Sequence, residues 1–220
     1  MLKYLFLTFY LLVTTSIISN GQSAWVGFST EYNLPGGNLK WIYKGAPGVQ
    51  LNYSWVLKKN KGGYPGYGVT IGYIKFSPKA DTLYYLVYLG SGNTGYGTAS
   101  YSSRKLIQLS SSFFWTMPSK TKKTELIFGT EIGYYYSFFN YDFNDDLGSE
   151  SGKEIEGKGA LVPYFSYALY PSKNVRIAPY FKFNLFFSLG SNDSESITYN
   201  PNFGTFNYFY SLGLNISYAF

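Results

Sequence analysis

From Asn207 to Phe220 the chain alternates strictly between two kinds of side chain. Tyr208, Tyr210, Leu212, Leu214, Ile216, Tyr218 and Phe220 fall on one side. Asn207, Phe209, Ser211, Gly213, Asn215, Ser217 and Ala219 fall on the other. Successive side chains of a strand point to opposite faces, so a period of two means a strand with one greasy face and one mostly small or polar face. A chain built from such strands must find a separate environment for each face.

Seven similar runs precede this one, at about 22–34, 47–58, 66–77, 101–117, 123–139, 158–170 and 174–189. Their greasy sides include Val26, Phe28, Val49, Leu51, Ile71, Leu109, Phe113, Ile132, Phe165 and Phe181. Long connections are expected near 35–46, 78–100, 140–157 and 190–204. Short turns are expected near 59–65, 118–122 and 171–173. This alternation of long and short suits an up-and-down meander with all its long loops at one end. Pro163 and Pro179 fall inside expected strands, where a missing N–H calls for a bulge or a frayed end.

Aromatic residues make up 22% of the chain and charged residues only 14%. Mean hydropathy is near neutral at −0.11, which excludes a bundle of membrane helices. No cysteine is present, so disulfides, thiolate nucleophiles and lipid attachment through Cys are excluded. No histidine is present either, which removes the commonest general base and metal ligand. The net charge is +6, but the basic residues are scattered or sit in turns, so no nucleic-acid stripe forms. Residues 1–21 read as a signal peptide: Lys3 supplies the positive end, Leu5 to Ile18 the apolar run, and Ser19-Asn20-Gly21 the small residues before a cut. One domain, 22–220, remains.

The closing alternation, the aromatic content and the terminal Phe220 together resemble the last strand of bacterial outer-membrane β-barrels. The resemblance implies an all-β, eight-stranded antiparallel up-and-down transmembrane β-barrel of the small OmpA or OmpW type. It also implies a place in the Gram-negative cell outer membrane, reached through the periplasm. Tyr218 and Phe220 are then expected to form the C-terminal assembly signal read by the barrel assembly machinery. Outer-membrane lipid and lipopolysaccharide are expected neighbours. A soluble lipocalin-type barrel is the structural rival, but it would turn grease inward and charge outward. Here the greasy face is unbroken and too large to leave in water, whereas lipid suits it and a closed barrel leaves no unpaired edge.

The inward positions include Glu31, Gln50, Asn52, Gln108, Glu125, Glu131, Arg176, Lys182, Asn184 and Asn215. Counting along the strands, Lys182 is expected between Glu31 and Glu131, with Glu125 and Arg176 pairing lower down. This lumen charge network reads either as a gate or ion path, or as a charge-paired plug. The plug is preferred, because an eight-stranded barrel leaves just enough room for side chains. In the acidic segment 140–157, Asp142, Asn144, Asp145 and Asp146 could offer oxygens to Ca²⁺, but their spacing does not match a calcium loop. No cofactor or metal is implied. The expected function is non-enzymatic: a structural or protein-interaction barrel working through loops 78–100 and 140–157. The alternative is a channel for small or hydrophobic solutes. A lipid-modifying enzyme ranks below both, since neither a histidine nor a Gly-x-Ser-x-Gly motif is present.

Overall fold

The computed structural model describes residues 23–37, 39–57, 62–90, 93–119, 123–146, 148–187 and 208–219. The expected signal peptide and Phe220 lie outside the described residues. Ten strands are formed: β1 (Ser23–Pro35), β2 (Ala46–Val56), β3 (Tyr64–Phe76), β4 (Leu83–Gly90), β5 (Asn93–Tyr101), β6 (Arg104–Pro118), β7 (Thr124–Asp145), β8 (Gly148–Leu169), β9 (Val175–Phe187) and β10 (Tyr208–Ala219). A single helical turn, α1 (Leu39–Ile42), lies between β1 and β2.

Eight of the strands close a ring in the order β1-β2-β3-β6-β7-β8-β9-β10, every pairing antiparallel. The last strand returns to the first from Trp25↔Ala219 to Pro35↔Phe209. The parity read from the sequence is carried through the ring. Val26, Phe28, Leu51, Ile71, Leu109, Ile132, Leu212 and Ile216 face out and are 43–61% exposed, while Ser29, Glu31, Gln50, Gln108, Glu131, Lys182 and Asn215 face in and are buried. A closed barrel with an apolar outside and no free edge in its wall satisfies its backbone without water, which is what spanning a bilayer demands.

The structure corrects the expected loops. Segments 78–100 and 140–157 are not loops but mostly strand. β7 and β8 pair without interruption from Thr124↔Leu169 to Asp145↔Gly148, so the acidic segment is the tip of one long hairpin. Gly148 there has φ of +148°, a backbone setting that side chains rarely adopt. The β4–β5 hairpin joins this tip through β5, from Gly97↔Asp145 to Tyr101↔Tyr141. β5 runs on into β6 along the same side of β7, with one extra residue inserted at Ser102–Ser103. That bulge lets both Tyr101 and Arg104 turn inward. Acidic content suggests loops here when it is weighed as solubility, whereas cross-strand pairing along an already formed β7 decides the conformation.

Both prolines lie on the outer face of the same seam. The β8–β9 ladder has register partners at Leu161↔Leu185, Tyr164↔Lys182, Ser166↔Tyr180 and Leu169↔Ile177, and it skips the positions of Pro163 and Pro179. Each proline keeps its pairing on the other side, Pro163 with Thr130 and Pro179 with Leu214. The missing donors thus fall together on one ladder, and Ser166 Oγ donates to the Pro179 carbonyl at 3.0 Å in partial compensation.

Room inside is made by small inward residues. At Gly213 an added Cβ would sit 2.3 Å from Tyr180 Cζ, so the Tyr180 ring lies directly over this backbone. Gly213→Val is expected to lower barrel stability by about 1–3 kcal/mol through overpacking. A drop in the urea midpoint in micelles, with β-rich circular dichroism retained at low urea, is the outcome to measure.

Candidate functional site: the barrel lumen and the external sheet

The lumen is stacked in three layers. At the outer end, Leu39 and Ile42 of α1 and the following Tyr43 turn into the mouth and pack with Ile74, Phe76, Leu106, Tyr135 and Phe209. The Phe76 and Phe209 rings meet edge-on at 5.8 Å, and Tyr135 lies 6.3 Å from Phe209. The segment is pinned by Lys44 N to Ser77 O at 2.9 Å and Lys79 N to Ile42 O at 2.7 Å. At the periplasmic end, Trp25, Val56, Tyr64, Phe114, Ile127 and Ala178 form a second apolar layer. The residues that form these layers sit at inward positions, so the interior is not uniformly hydrophilic as the sequence reading expected. Parity alone carried that signal; a search restricted to polar inward residues passes over it.

Between the layers lies the polar network. Lys182 Nζ meets Glu131 Oε1 at 2.6 Å and donates to Gln50 Oε1 at 2.9 Å. Ser110 Oγ and Gln108 Nε2 donate to the other Glu131 oxygen at 2.9 and 3.0 Å. Glu31 does not touch Lys182 directly. Gln50 Nε2 and the Tyr180 hydroxyl donate to Glu31 Oε2 at 2.9 and 3.0 Å, so Gln50 links the two. Glu31 Oε1 is buried without a hydrogen-bond partner. Higher up, Asn184 takes a bond from the Tyr135 hydroxyl and gives one to Ser211 Oγ, both at 2.9 Å. Lower down, Asn215 and Asn52 both donate to Ser29 Oγ at 2.9 Å.

Glu125 and Arg176 form no ion pair among the described residues. Tyr64 and Tyr170 donate their hydroxyls to Glu125 instead. Arg176 Nε donates to Ser217 Oγ at 2.9 Å, and its guanidinium lies 4.9 Å from the Trp25 ring centre. The expected pairing fails because two tyrosines, one from β3 and one after β8, reach the carboxylate first. A cavity of about 80 Å³ remains beside Ser54, Ser112, Arg176 and Lys182.

Arg104 is a lumen residue that the sequence reading does not single out. It is fully buried at the outer mouth, pairs with Glu156, donates Nε to Ser137 Oγ at 2.6 Å and lies over the Phe139 ring at 4.2 Å. With Glu156 expected in a loop, no partner for it is visible. Carrying the β8 parity back from Lys158 is the signal that would show Glu156, which stands opposite Ser137.

Above the mouth, β4, β5 and the tips of β7 and β8 form a four-stranded sheet. Its inward side carries Tyr85, Tyr101, Tyr141 and Phe143, with ring centres 5.2–6.4 Å from Phe143. Tyr85 donates to Asp145 at 3.0 Å and Tyr141 to Glu150 at 2.9 Å. The bond to Glu150 pushes the Tyr141 phenol up, and partial burial pushes the Glu154 carboxyl above its ordinary range, with Glu156 adding to that shift. The pairing of Asp142 with Ser151 and of Asn144 with Ser149 places these residues on the outward face, opposite in direction to Asp145. The oxygens considered for Ca²⁺ are thus split between two faces.

An apolar wall, a layered lumen and an eight-strand ring define the class: an integral β-barrel of the outer membrane. No protein-family model and no curated protein sequence matches the chain. Among solved structures, a major outer membrane protein from Thermus thermophilus is similar at 15% identity and a TM-score of 0.51, over 90% of this chain and 99% of that one. The attachment invasion locus protein Ail of Yersinia pestis aligns at 14% identity and a TM-score of 0.41, over 90% and 97%. Neisserial surface protein A aligns at 12% identity and a TM-score of 0.41, over 91% and 98%. At these identities the likeness is one of fold.

Removing one partner of the central ion pair leaves a charge stranded between apolar layers. Lys182→Met is expected to cost about 3–5 kcal/mol, with part of it recovered on adding Glu131→Gln. Heat-dependent gel migration reads this out. Unchanged folding and heat resistance of Lys182→Met would show that the pair is not structural.

Proposed function

We propose that this protein is a non-enzymatic, non-conducting barrel that acts through its external sheet in contact with another protein. The observation that carries the reading is the pair of apolar layers closing the lumen at both ends. Water and ions cross a narrow apolar constriction at high cost, and here one lies on each side of the polar middle. The interaction role is supported by what the sheet exposes: Tyr84 is 80% and Tyr96 74% exposed, with Leu86 also open to solvent. Apolar side chains clustered above the membrane, among polar ones, are a common mark of a protein contact. A catalytic reading lacks both histidine and cysteine to work with.

Planar-bilayer recordings of the purified barrel are expected to stay silent, whereas clear, sustained conductance steps would favour the small-solute channel. A barrel lacking residues 83–101 is expected to keep its heat-dependent migration and to lose a partner that co-purifies with the intact protein. Repeated isolation of the intact barrel alone from solubilised membranes would count against the interaction role.

A further inference from the structure

One arc of the barrel rim carries an unusual charge arrangement. Lys75 near the top of β3 and Lys105 near the top of β6 are direct register partners, and both point outward and are exposed. Like charges set opposite one another across an antiparallel pair destabilise it, so the pair is not explained by strand pairing. Neither lysine makes an ion pair among the described residues.

Their height is informative. Directly below them the next outward pair is Tyr73 with Ile107, then Ile71 with Leu109. From the Pro65↔Trp115 pair up to Lys75↔Lys105, β3 rises about 33 Å at about 3.3 Å per residue. At a tilt of about 40° that is about 25 Å of vertical height, the thickness of the apolar band of an outer-membrane barrel. The two ammonium groups therefore stand where hydrocarbon gives way to headgroups on the outer side. Two more exposed lysines are held nearby by the backbone. Lys44 is bonded to Ser77 and Lys79 to Ile42, which ties the segment after α1 against the end of β3. Asp81 is the acidic residue nearest in sequence. On the opposite arc the outward residues at the tops of β9 and β10 are Phe183, Leu185, Phe187, Tyr208 and Tyr210, with no charge among them.

We propose that Lys75 and Lys105, flanked by Lys44 and Lys79, bind the phosphate groups of a phosphorylated lipid of the outer leaflet, whose chains lie on the Tyr73, Ile107 and Leu109 wall beneath. The anion offsets the repulsion between the facing ammonium groups, and the wall supplies the apolar half of the contact. The lipid is thereby fixed to the β3–β6 arc, away from the acidic tip of β7–β8. This site stands on the barrel wall and is independent of whether the lumen conducts.

The test uses the full barrel in micelles, titrated with bis-phosphorylated lipid A and read by native mass spectrometry. Lys75→Gln with Lys105→Gln is expected to weaken binding at least about tenfold, since each lysine near a lipid surface contributes about 1 kcal/mol. Lys75→Arg with Lys105→Arg is expected to keep it, and heat-dependent migration verifies that each variant is folded. Lys123→Gln with Lys173→Gln, which removes two exposed charges at the short-turn end, is expected to change binding by no more than about twofold. Dephosphorylated lipid A is expected to bind the wild type no better than it binds the Gln pair. Equal binding of lipid A by wild type and the Gln pair would overturn the proposal. So would an equal loss in the Lys123 and Lys173 control, or displacement of the lipid by inorganic phosphate at matched concentration.

Discussion

The pairing of β1 with β10 closes the ring, and every other feature depends on it. An open sheet of this length would leave two rows of backbone donors and acceptors unpaired in hydrocarbon, at several kcal/mol each. Closure also converts the period of two into an inside and an outside. Once Trp25 is opposite Ala219, a slip of β10 by one residue would turn Ile216 into the lumen and Asn215 into lipid. Register is therefore held by the transfer energy of the whole wall rather than by any one contact.

Closing eight strands leaves an interior too narrow for bulk water but wide enough for side chains to meet across it. That explains why the polar middle is so thoroughly cross-linked. Gln50 touches Glu31, Gln108 and Lys182, spanning β2, β1, β6 and β9. Each such bond satisfies a group that would otherwise be buried alone, which is costlier than never having placed it there. The apolar layers above and below strengthen the same interactions by excluding solvent. The weak place in this design is the β8–β9 seam, where Pro163 and Pro179 both remove donors. It is bordered on the inside by Tyr180 and Lys182, whose contacts reach β1, β2 and β7 and so tie the seam to the far wall.

The strand ring and its two faces were legible in the sequence because alternation is a local property with a fixed period. Phe209 shows the limit of that reading: its parity is plain, yet its role in an apolar layer depends on Phe76 and Tyr135, far away in the chain. The Lys182–Glu131 pair was within reach because strand number and height can be counted. Glu125 and Arg176 can be counted the same way, but Tyr64 and Tyr170 occupy the space between, and hydroxyl reach cannot be read from spacing. The external sheet was illegible for a different reason. β5 and β7 pair above the membrane through a bulge at Ser102–Ser103, and a one-residue insertion leaves no mark in composition.

At the outer end charges are largely sorted by sign, although Glu156 pairs with both Arg104 and Lys158. Six carboxylates fall within 140–157, half of the chain's twelve acidic residues, against the single base Lys153. The rest of the chain then carries seventeen basic and six acidic residues. Within a screening length of about 8 Å at physiological salt, such separation is felt only locally, so each patch acts on what lies next to it. Lys75 and Lys105 face outward at the top of the β3–β6 ladder, while Asp142, Asp145 and Glu150 stand beyond it on the β7–β8 tip. Under the lipid contact proposed above, this division keeps the acidic tip clear of an anionic leaflet and leaves Tyr84 and Tyr96 exposed on the outward face of the sheet.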